Sequence, residues 1–184
     1  MVDANQAWSP EHAARMAQSL APYHLHWLEE PITADQPVSA WQILAKASST
    51  PLAAGENLMG QAHFESMIDS GALRFVQPDS AKWGGISGVL PVIEATQRRG
   101  AIYCPHYLGG GIGHMASAHL MAAMGQSDSM LEVDSNANPL RSEFAPAFQH
   151  LSDGWVSLGE APGIGFEPPP SLIDRFRVDH ESAG

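Results

Sequence analysis

Short apolar runs that end on an acidic residue or a histidine recur along the chain, and each is followed by a turn and a stretch with helical periodicity. The first residues, MVDAN, are typical of the end of one such run. The others are HLHWLEE (24–30), PLAAGE (51–56), LRFVQPD (73–79), AIYCPH (101–106) and SMLEVD (129–134). Strands that alternate with helices predict an α/β fold with a parallel sheet and right-handed crossovers.

The stretches between the runs carry the start and stop signals of helices. Ser9 followed by Pro10 predicts the start of the first helix, and Asp35 is predicted to cap the second. The remaining predicted helices span 61–70, 86–99 and 113–124. A glycine directly follows each of these three, which is where helices commonly end.

One acidic residue or histidine at the end of each run recurs at an interval of 23–27 positions. These residues are Asp3, Glu29, Glu56, Asp79, His106 and Glu132. Strand–helix units of that length are typical of a (β/α)₈ barrel, in which the carboxyl ends of the strands meet at one mouth. We therefore predict a partial TIM-type (β/α) barrel with its polar strand ends around one cavity. A doubly wound open sheet is the alternative, but it would not bring all of these ends to one point.

The composition changes after Asp134, where proline, glycine and asparagine become frequent. Only Trp155, Val156 and Leu158 form a strand-like pattern in this part of the chain. We predict two regions: a barrel segment over 1–134 and an ordered, turn-rich C-terminal tail over 135–184 that packs on it.

The charge balance narrows the classes of partner. The chain has 9 Lys and Arg against 20 Asp and Glu, a formal net charge of -11, which argues against nucleic acid. Its apolar stretches are too short for a membrane span, so we expect no membrane partner. The single cysteine, Cys104, excludes an internal disulfide and favours a reducing, cytoplasmic compartment. We interpret Cys104 as a small buried apolar residue.

Carboxylates gathered at one barrel mouth need a compensating charge, because like charges that close cannot all ionise. A hard divalent cation such as Mg²⁺ takes oxygen ligands and supplies that charge. His106 follows Asp79 by one strand–helix unit, so the two are expected on adjacent strands. An aspartate in contact with a histidine orients the imidazole and raises its basicity, which is the arrangement of a general base.

Six segments resemble the mandelate racemase/muconate lactonising group of the enolase superfamily, in its racemase-like, acid-sugar dehydratase branch. They are VDANQ, WLEEP, AGEN, QPDSAKWGGI, CPH and LEVD. The resemblance runs from the third barrel strand through the eighth to the tail. It implies that Asp3, Glu29 and Glu56 are Mg²⁺ ligands.

The resemblance also implies the catalytic residues and the reaction. Asp79 and His106 match its Asp–His dyad, and Glu132 matches an acid that hydrogen-bonds the substrate carboxylate. The implied reaction removes a proton α to a carboxylate. It ends either in loss of a β-hydroxyl from an acid sugar or in racemisation or epimerisation. Lys82 and Asn5 are candidate substrate contacts, although simple packing for Lys82 and turn geometry for Asn5 explain them equally well.

The chain departs from the group in what it lacks. The N-terminal capping domain, the first two barrel strands and the Lys-x-Lys pair of the second strand have no counterpart in this sequence. Six units cannot close an eight-stranded barrel, so we expect exposed strand edges and a homo-oligomer. We expect the isolated chain to be inactive or weakly active, and proton exchange by a monomer would contradict this. The alternative function is a non-catalytic barrel fragment that binds metal or oligomerises.

The loop before the last predicted helix contains a superficial dinucleotide motif. Gly111, Gly113 and Ala116 fit the fingerprint spacing, but they lie in the fifth unit rather than the first. We interpret the glycines as residues that permit a tight turn. His114 and His119 are five apart, which is not the spacing of a helical metal pair.

Overall fold

A computed structural model describes residues 1–178, and within them the chain forms a five-stranded parallel sheet. The order of the strands in the sheet follows their order in the sequence, as in one continuous part of a barrel wall. The strands are β1 (Val2–Asp3), β2 (Leu28–Glu29), β3 (Leu52–Ala54), β4 (Phe75–Val76) and β5 (Ile102–Tyr103). The partial (β/α) barrel predicted from the sequence is therefore confirmed.

Each of the first five helices follows the strand with the same number. They are α1 (Pro10–Leu20), α2 (Val38–Ala47), α3 (Gln61–Asp69), α4 (Gly85–Arg98) and α5 (Gly111–Met124). Two short helices, α6 (Pro139–Ser142) and α7 (Pro170–Phe176), lie in the tail. In residues 1–178, none of the helices has both the length and the apolar character needed to cross a bilayer.

The two predicted helix caps have different outcomes. The Ser9 hydroxyl accepts a hydrogen bond from the backbone N–H of His12, so α1 starts as predicted. Asp35 does not cap α2, because its carboxylate accepts a hydrogen bond from the Thr33 hydroxyl and α2 begins only after Pro37.

Strand residues point alternately to the two faces of the sheet, as the pleat requires, and pack there in apolar clusters. One cluster joins the sheet to the helices and includes Leu28, Leu52 and Val76. Another lies on the opposite face of the sheet and contains Trp27, Ala53, Phe75, Ile102 and Cys104. Glu29 lies two residues after Trp27, so its side chain leaves the sheet on the same face as that second cluster.

The predicted sixth strand, over 129–134, is not part of the sheet. A side chain replaces the backbone ladder beside β5. The amide of Gln126 accepts a hydrogen bond from the N–H of Tyr103 and donates one to the carbonyl of Ala101. Because these backbone groups of β5 are already satisfied, the segment 129–134 runs past the edge of the sheet without pairing.

The tail packs on the barrel segment through specific contacts. Arg141 is buried and forms an ion pair with Asp134 and a hydrogen bond with the carbonyl of Asn136. The predicted strand around Trp155 is reduced to a single antiparallel bridge between Ser152 and Trp155. The division into 1–134 and 135–184 stays a prediction, although the Arg141–Asp134 pair and the close approach of Phe144 to Gly111 show that the described tail contacts the barrel segment.

Candidate active site

Two of the predicted metal ligands lie side by side at the ends of neighbouring strands. Asp3 and Glu29 are register partners at the carboxyl ends of β1 and β2. Asp3 is exposed, and its carboxylate accepts a hydrogen bond of 2.7 Å from the backbone N–H of Asn5. Glu29 is half-buried and accepts a hydrogen bond of 2.8 Å from the indole N–H of Trp27.

The charges at these strand ends are poorly compensated. Burial raises the pKa of Glu29, and the negative charges of Asp3 and Glu132 add to this effect. These carboxylates also border one cavity of about 400 Å³, which is within the size range of small-ligand sites. Oxygen donors whose charges repel one another are the chemistry that a hard cation stabilises, so the donor set fits Mg²⁺.

The third predicted ligand, Glu56, faces different neighbours. It lies two residues beyond β3, is buried, and has one carboxylate oxygen 2.6 Å from Nε2 of His106 and 2.7 Å from Nζ of Lys82. Across residues 1–178, no three histidine, cysteine, aspartate or glutamate side chains come close enough together to hold a metal ion in this arrangement. The role of the three carboxylates as ligands therefore stays a prediction.

The Asp79–His106 contact is present. Nδ1 of His106 lies 2.8 Å from the carboxylate of Asp79, and both residues are buried. The other carboxylate oxygen of Asp79 accepts hydrogen bonds from the backbone N–H groups of Ala81 and Lys82, at 2.7 and 3.2 Å. The turn after β4 thus holds the Asp79 carboxylate in place, and this carboxylate orients the imidazole of His106.

Charge pairing dominates the ionisation of this cluster. Burial opposes ionisation of Glu56, but hydrogen bonds from His106 and Lys82, together with their charges, lower its pKa to about 2. Burial also opposes protonation of His106, but hydrogen bonds with Asp79 and Glu56 raise its pKa to about 10. In this arrangement the imidazole is therefore a cation at neutral pH.

Both candidate substrate contacts have partners within the chain, Lys82 through its side chain and Asn5 through its backbone N–H. Lys82 pairs with Glu56, a partner that the sequence pattern did not indicate. Asn5 adopts a positive φ of 44° and supports the turn that holds Asp3. A substrate contact at either residue stays a prediction.

Glu132 lies near His106 although its segment is outside the sheet. Its side chain is 43% exposed, and one carboxylate oxygen is 3.7 Å from Nε2 of His106. The same oxygen accepts a hydrogen bond of 2.9 Å from the backbone N–H of Tyr107. The structure therefore brings Glu56, Asp79 and Glu132 around one imidazole.

Sequence reasoning missed a further buried carboxylate, Glu30. It accepts a hydrogen bond of 2.8 Å from the side chain of Asn57, which also donates to Glu56 at 3.1 Å. Burial, reinforced by the charge of Glu56, raises the pKa of Glu30 to about 7. The doubled glutamate in WLEE and the asparagine after Glu56 were the available signals.

The glycines of the dinucleotide-like motif have a packing role. A Cβ on Gly111 would lie 2.4 Å from the carbonyl carbon of Phe144 in the tail, and a Cβ on Gly113 would lie 2.5 Å from the hydroxyl oxygen of Tyr107. Glycine is therefore required for the tail and the Tyr107 ring to approach α5 this closely.

The structure places carboxylates and an Asp–His pair at the strand ends of a parallel barrel wall, which is the arrangement of a barrel enzyme's active site. Comparison with known proteins shows the family of the chain. A model described as enolase C-terminal domain-like matches residues 1–172. The chain belongs to this family, and the resemblance to the mandelate racemase/muconate lactonising group is confirmed.

Individual relatives and solved structures support the same family. The chain is 34% identical, over 90% of its length, to L-talarate/galactarate dehydratase from Salmonella typhimurium, and covers 39% of that protein. It is 51% identical, with a TM-score of 0.90, to a mandelate racemase/muconate lactonizing enzyme from Bordetella bronchiseptica, covering 94% of this chain and 48% of that one. A racemase from Streptomyces coelicolor, solved with bound magnesium, is 26% identical with a TM-score of 0.78, covering 96% and 46%. The chain thus spans less than half of each of these relatives.

Proposed function

We propose that this chain carries the proton-abstracting part of a Mg²⁺-dependent acid-sugar dehydratase. The observation that supports this most directly is the surroundings of His106, whose Nδ1 is held by Asp79 and whose Nε2 faces Glu56 and Glu132. Racemisation or epimerisation begins with the same abstraction of a proton and is the alternative outcome.

His106 is the proposed base. Asp79, anchored by two backbone N–H groups, keeps the Nδ1 proton on its own side and leaves Nε2 to accept the proton from the carbon α to the substrate carboxylate. Nε2 is hydrogen-bonded to Glu56, so substrate has to replace that contact. The imidazole must also lose its own proton first, since only the neutral ring can act as a base.

Asp3, Glu29 and Glu56 would hold the cation. When bound, Mg²⁺ would stabilise the negative charge that develops on the substrate carboxylate. Glu132, beside Nε2 and open to the cavity, would hydrogen-bond the same carboxylate through a proton shared between the two groups. Departure of a β-hydroxyl then requires a proton from an acid, and the product is a 2-keto-3-deoxy acid.

The relatives support the substrate class. The Salmonella typhimurium relative is a talarate/galactarate dehydratase, and other relatives are dehydratases or cycloisomerases of sugar acids. We therefore propose aldonic or aldaric acids as substrates of the protein that contains this chain.

Proton exchange in D₂O is the test. The chain, alone and in place of the matching segment of the Salmonella typhimurium dehydratase, is incubated with Mg²⁺ and a panel of aldonic and aldaric acids. The loss of the α-proton signal is followed by ¹H NMR. In the chimeric dehydratase we expect exchange that His106→Asn abolishes and that His150→Asn, an exposed control, leaves intact, whereas the chain alone should show little or none. Absence of exchange in both settings, with the proteins folded, would reject the proposal and favour the non-catalytic fragment.

We also propose that the chain self-associates. In the described part of the chain, the edge of β5 is covered by the amide of Gln126, so we do not expect this edge to pair with another chain. Light scattering after gel filtration should show a dimer, and a monomer would reject self-association.

A further inference from the structure

The position of Glu132 needs an explanation, because its segment makes no ladder with β5. Two contacts with the β5–α5 region hold this residue. Its carboxylate accepts a hydrogen bond of 2.9 Å from the backbone N–H of Tyr107. Its main-chain carbonyl lies 3.0 Å from Nε2 of His114, which is on α5 and fully buried. Both ends of Glu132 are therefore anchored by residues outside its own segment.

The contact with the carbonyl fixes the protonation of His114. A carbonyl oxygen can only accept, so the ring must carry its proton on Nε2. Nδ1 is buried and meets no hydrogen-bond partner among residues 1–178. A second proton on Nδ1 would be a buried donor without an acceptor, so the ring is neutral. Burial also lowers the pKa of His114, which agrees with this assignment.

Two aromatic rings fix the plane of His114. The ring of Tyr107 lies 5.2 Å away and the ring of Phe148 lies 3.8 Å away, measured between centroids, with interplanar angles of 6° and 7°. Phe148 belongs to the tail, in the 3₁₀ turn Pro146–His150. The tail therefore completes a three-ring stack whose middle ring holds the main chain at Glu132.

We propose that His114 is a positioning residue: stacked between Tyr107 and Phe148, it donates Nε2–H to the carbonyl of Glu132 and thereby keeps the Glu132 carboxylate beside His106. The tail contributes to the site through Phe148. The relevance to catalysis rests on the proposed function of Glu132, but the positioning itself does not.

Hydrogen exchange of the Tyr107 backbone N–H reports the position of the Glu132 carboxylate without any need for activity. In Glu132→Ala, which removes a side chain that is 43% exposed, this N–H should lose about tenfold in protection, the factor that corresponds to about 1.4 kcal/mol. The Nε2–H of His114 should stay protected, because its acceptor is the main chain. An unchanged Tyr107 N–H would overturn the proposal.

Substitutions at His114 separate the hydrogen bond from the stack. His114→Phe keeps an aromatic ring but has no donor, so it should reduce the protection of the Tyr107 N–H about as much as Glu132→Ala does. His114→Gln retains a side-chain N–H and should therefore keep part of the protection of the Tyr107 N–H. In Phe148→Leu the protection of the Tyr107 N–H should lie between those of the wild type and His114→Phe. In the exposed control His150→Asn it should match the wild type. Amides within α4 report whether global stability has changed.

Two results would overturn the proposal. One is His114→Phe with wild-type protection at Tyr107. The other, which needs no variant, is a ¹⁵N spectrum of the wild type in which His114 carries its proton on Nδ1. Loss of proton exchange from substrate in every form, with the Tyr107 pattern as expected, would instead reject the proposed function and leave the positioning role intact.

Discussion

The two sides of the candidate site differ in how their charges are balanced. At the ends of β1 and β2, Asp3 is exposed and Glu29 is half-buried, and neither has a cationic partner among the contacts of the described chain. At the ends of β3 to β5, Glu56 and Asp79 are buried and both contact the imidazole of His106. Both sides carry carboxylates, but those at β1 and β2 lack a compensating positive charge, whereas those at β3 to β5 are paired with positive groups of the same chain.

This difference separates the roles of the two sides. The His106 side is assembled by contacts within the chain, because Lys82 and the imidazole supply the positive charge that its carboxylates need. Among residues 1–178, the β1–β2 side receives hydrogen bonds from neutral groups, including Asn5 and Trp27, and no ion pair, which is why we propose that an external cation balances its charge. Similar substitutions on the two sides should therefore have unlike effects.

The largest effect is expected from Asp79→Asn. The asparagine amide would donate to Nδ1 of His106 and force the imidazole proton onto Nε2, the nitrogen proposed as the base. The rate of substrate proton exchange in D₂O should fall by roughly 10²–10⁴-fold. Asp69→Asn, which alters an exposed pair with Arg99, is the control and should have no effect on the rate. An unchanged rate in Asp79→Asn would show that the dyad is not the base.

Glutamate-to-glutamine changes at two strand ends compare the two sides directly. Glu56→Gln removes the anion that pairs with Lys82 and with Nε2 of the buried His106, so the free energy of unfolding should fall by about 2 kcal/mol. Glu29→Gln removes a charge that its surroundings disfavour, so stability should stay within about 0.5 kcal/mol or rise.

Both glutamine variants should weaken Mg²⁺ binding, by about tenfold or more, measured by calorimetry. Urea unfolding in EDTA gives the stabilities. Equal destabilisation by the two changes would remove the contrast between the sides. Unchanged Mg²⁺ affinity in either variant would remove that glutamate from the ligand set.

The pH dependence of stability should reflect the His106 side when metal is absent. The folded pKa of Glu56, about 2, is below its ordinary value, so its contribution is present above about pH 4.5 and is lost as pH falls towards 2. The folded pKa of His106, about 10, is above its ordinary value, so its contribution is complete below about pH 6.5 and is lost as pH rises towards 10. Unfolding in urea with EDTA should therefore show greatest stability between these limits. His106→Asn should remove the alkaline decline, and its persistence would assign that decline to another group.

The sequence predicted the fold and the dyad because both depend on local order. Alternating apolar runs and helical stretches define parallel strands, and a spacing of one unit brings Asp79 next to His106. The end of the sheet was wrongly predicted, because the amide of Gln126 satisfies β5 in place of a strand over 129–134. A side chain that substitutes for a backbone ladder has no signal in hydrophobic periodicity.

The sequence indicated which residues lie at the site better than it indicated which of them contact each other. Lys82 was assigned to substrate or to packing, and its actual partner, Glu56, is 26 residues away. The spacing of His114 and His119 excluded a helical metal pair, but it gave no sign that the His114 ring lies between two aromatic rings with its Nε2 against the carbonyl of Glu132. Such contacts depend on the geometry of loops, which a single sequence does not specify.

The smallest predicted effect separates two roles for Lys82. Its side chain is 37% exposed, so solvent weakens the pair with Glu56, and Lys82→Met should cost no more than about 1 kcal/mol in the free energy of unfolding. Arg98→Met, which alters the more exposed pair with Glu94 on α4, is the matched control and should cost nothing measurable. If Lys82 positions Glu56, the methionine variant should lose this stability and show altered Mg²⁺ affinity in calorimetry without any substrate. If Lys82 instead binds the substrate carboxylate, stability and Mg²⁺ affinity should match the wild type, and only the substrate concentration needed for half-maximal exchange should rise.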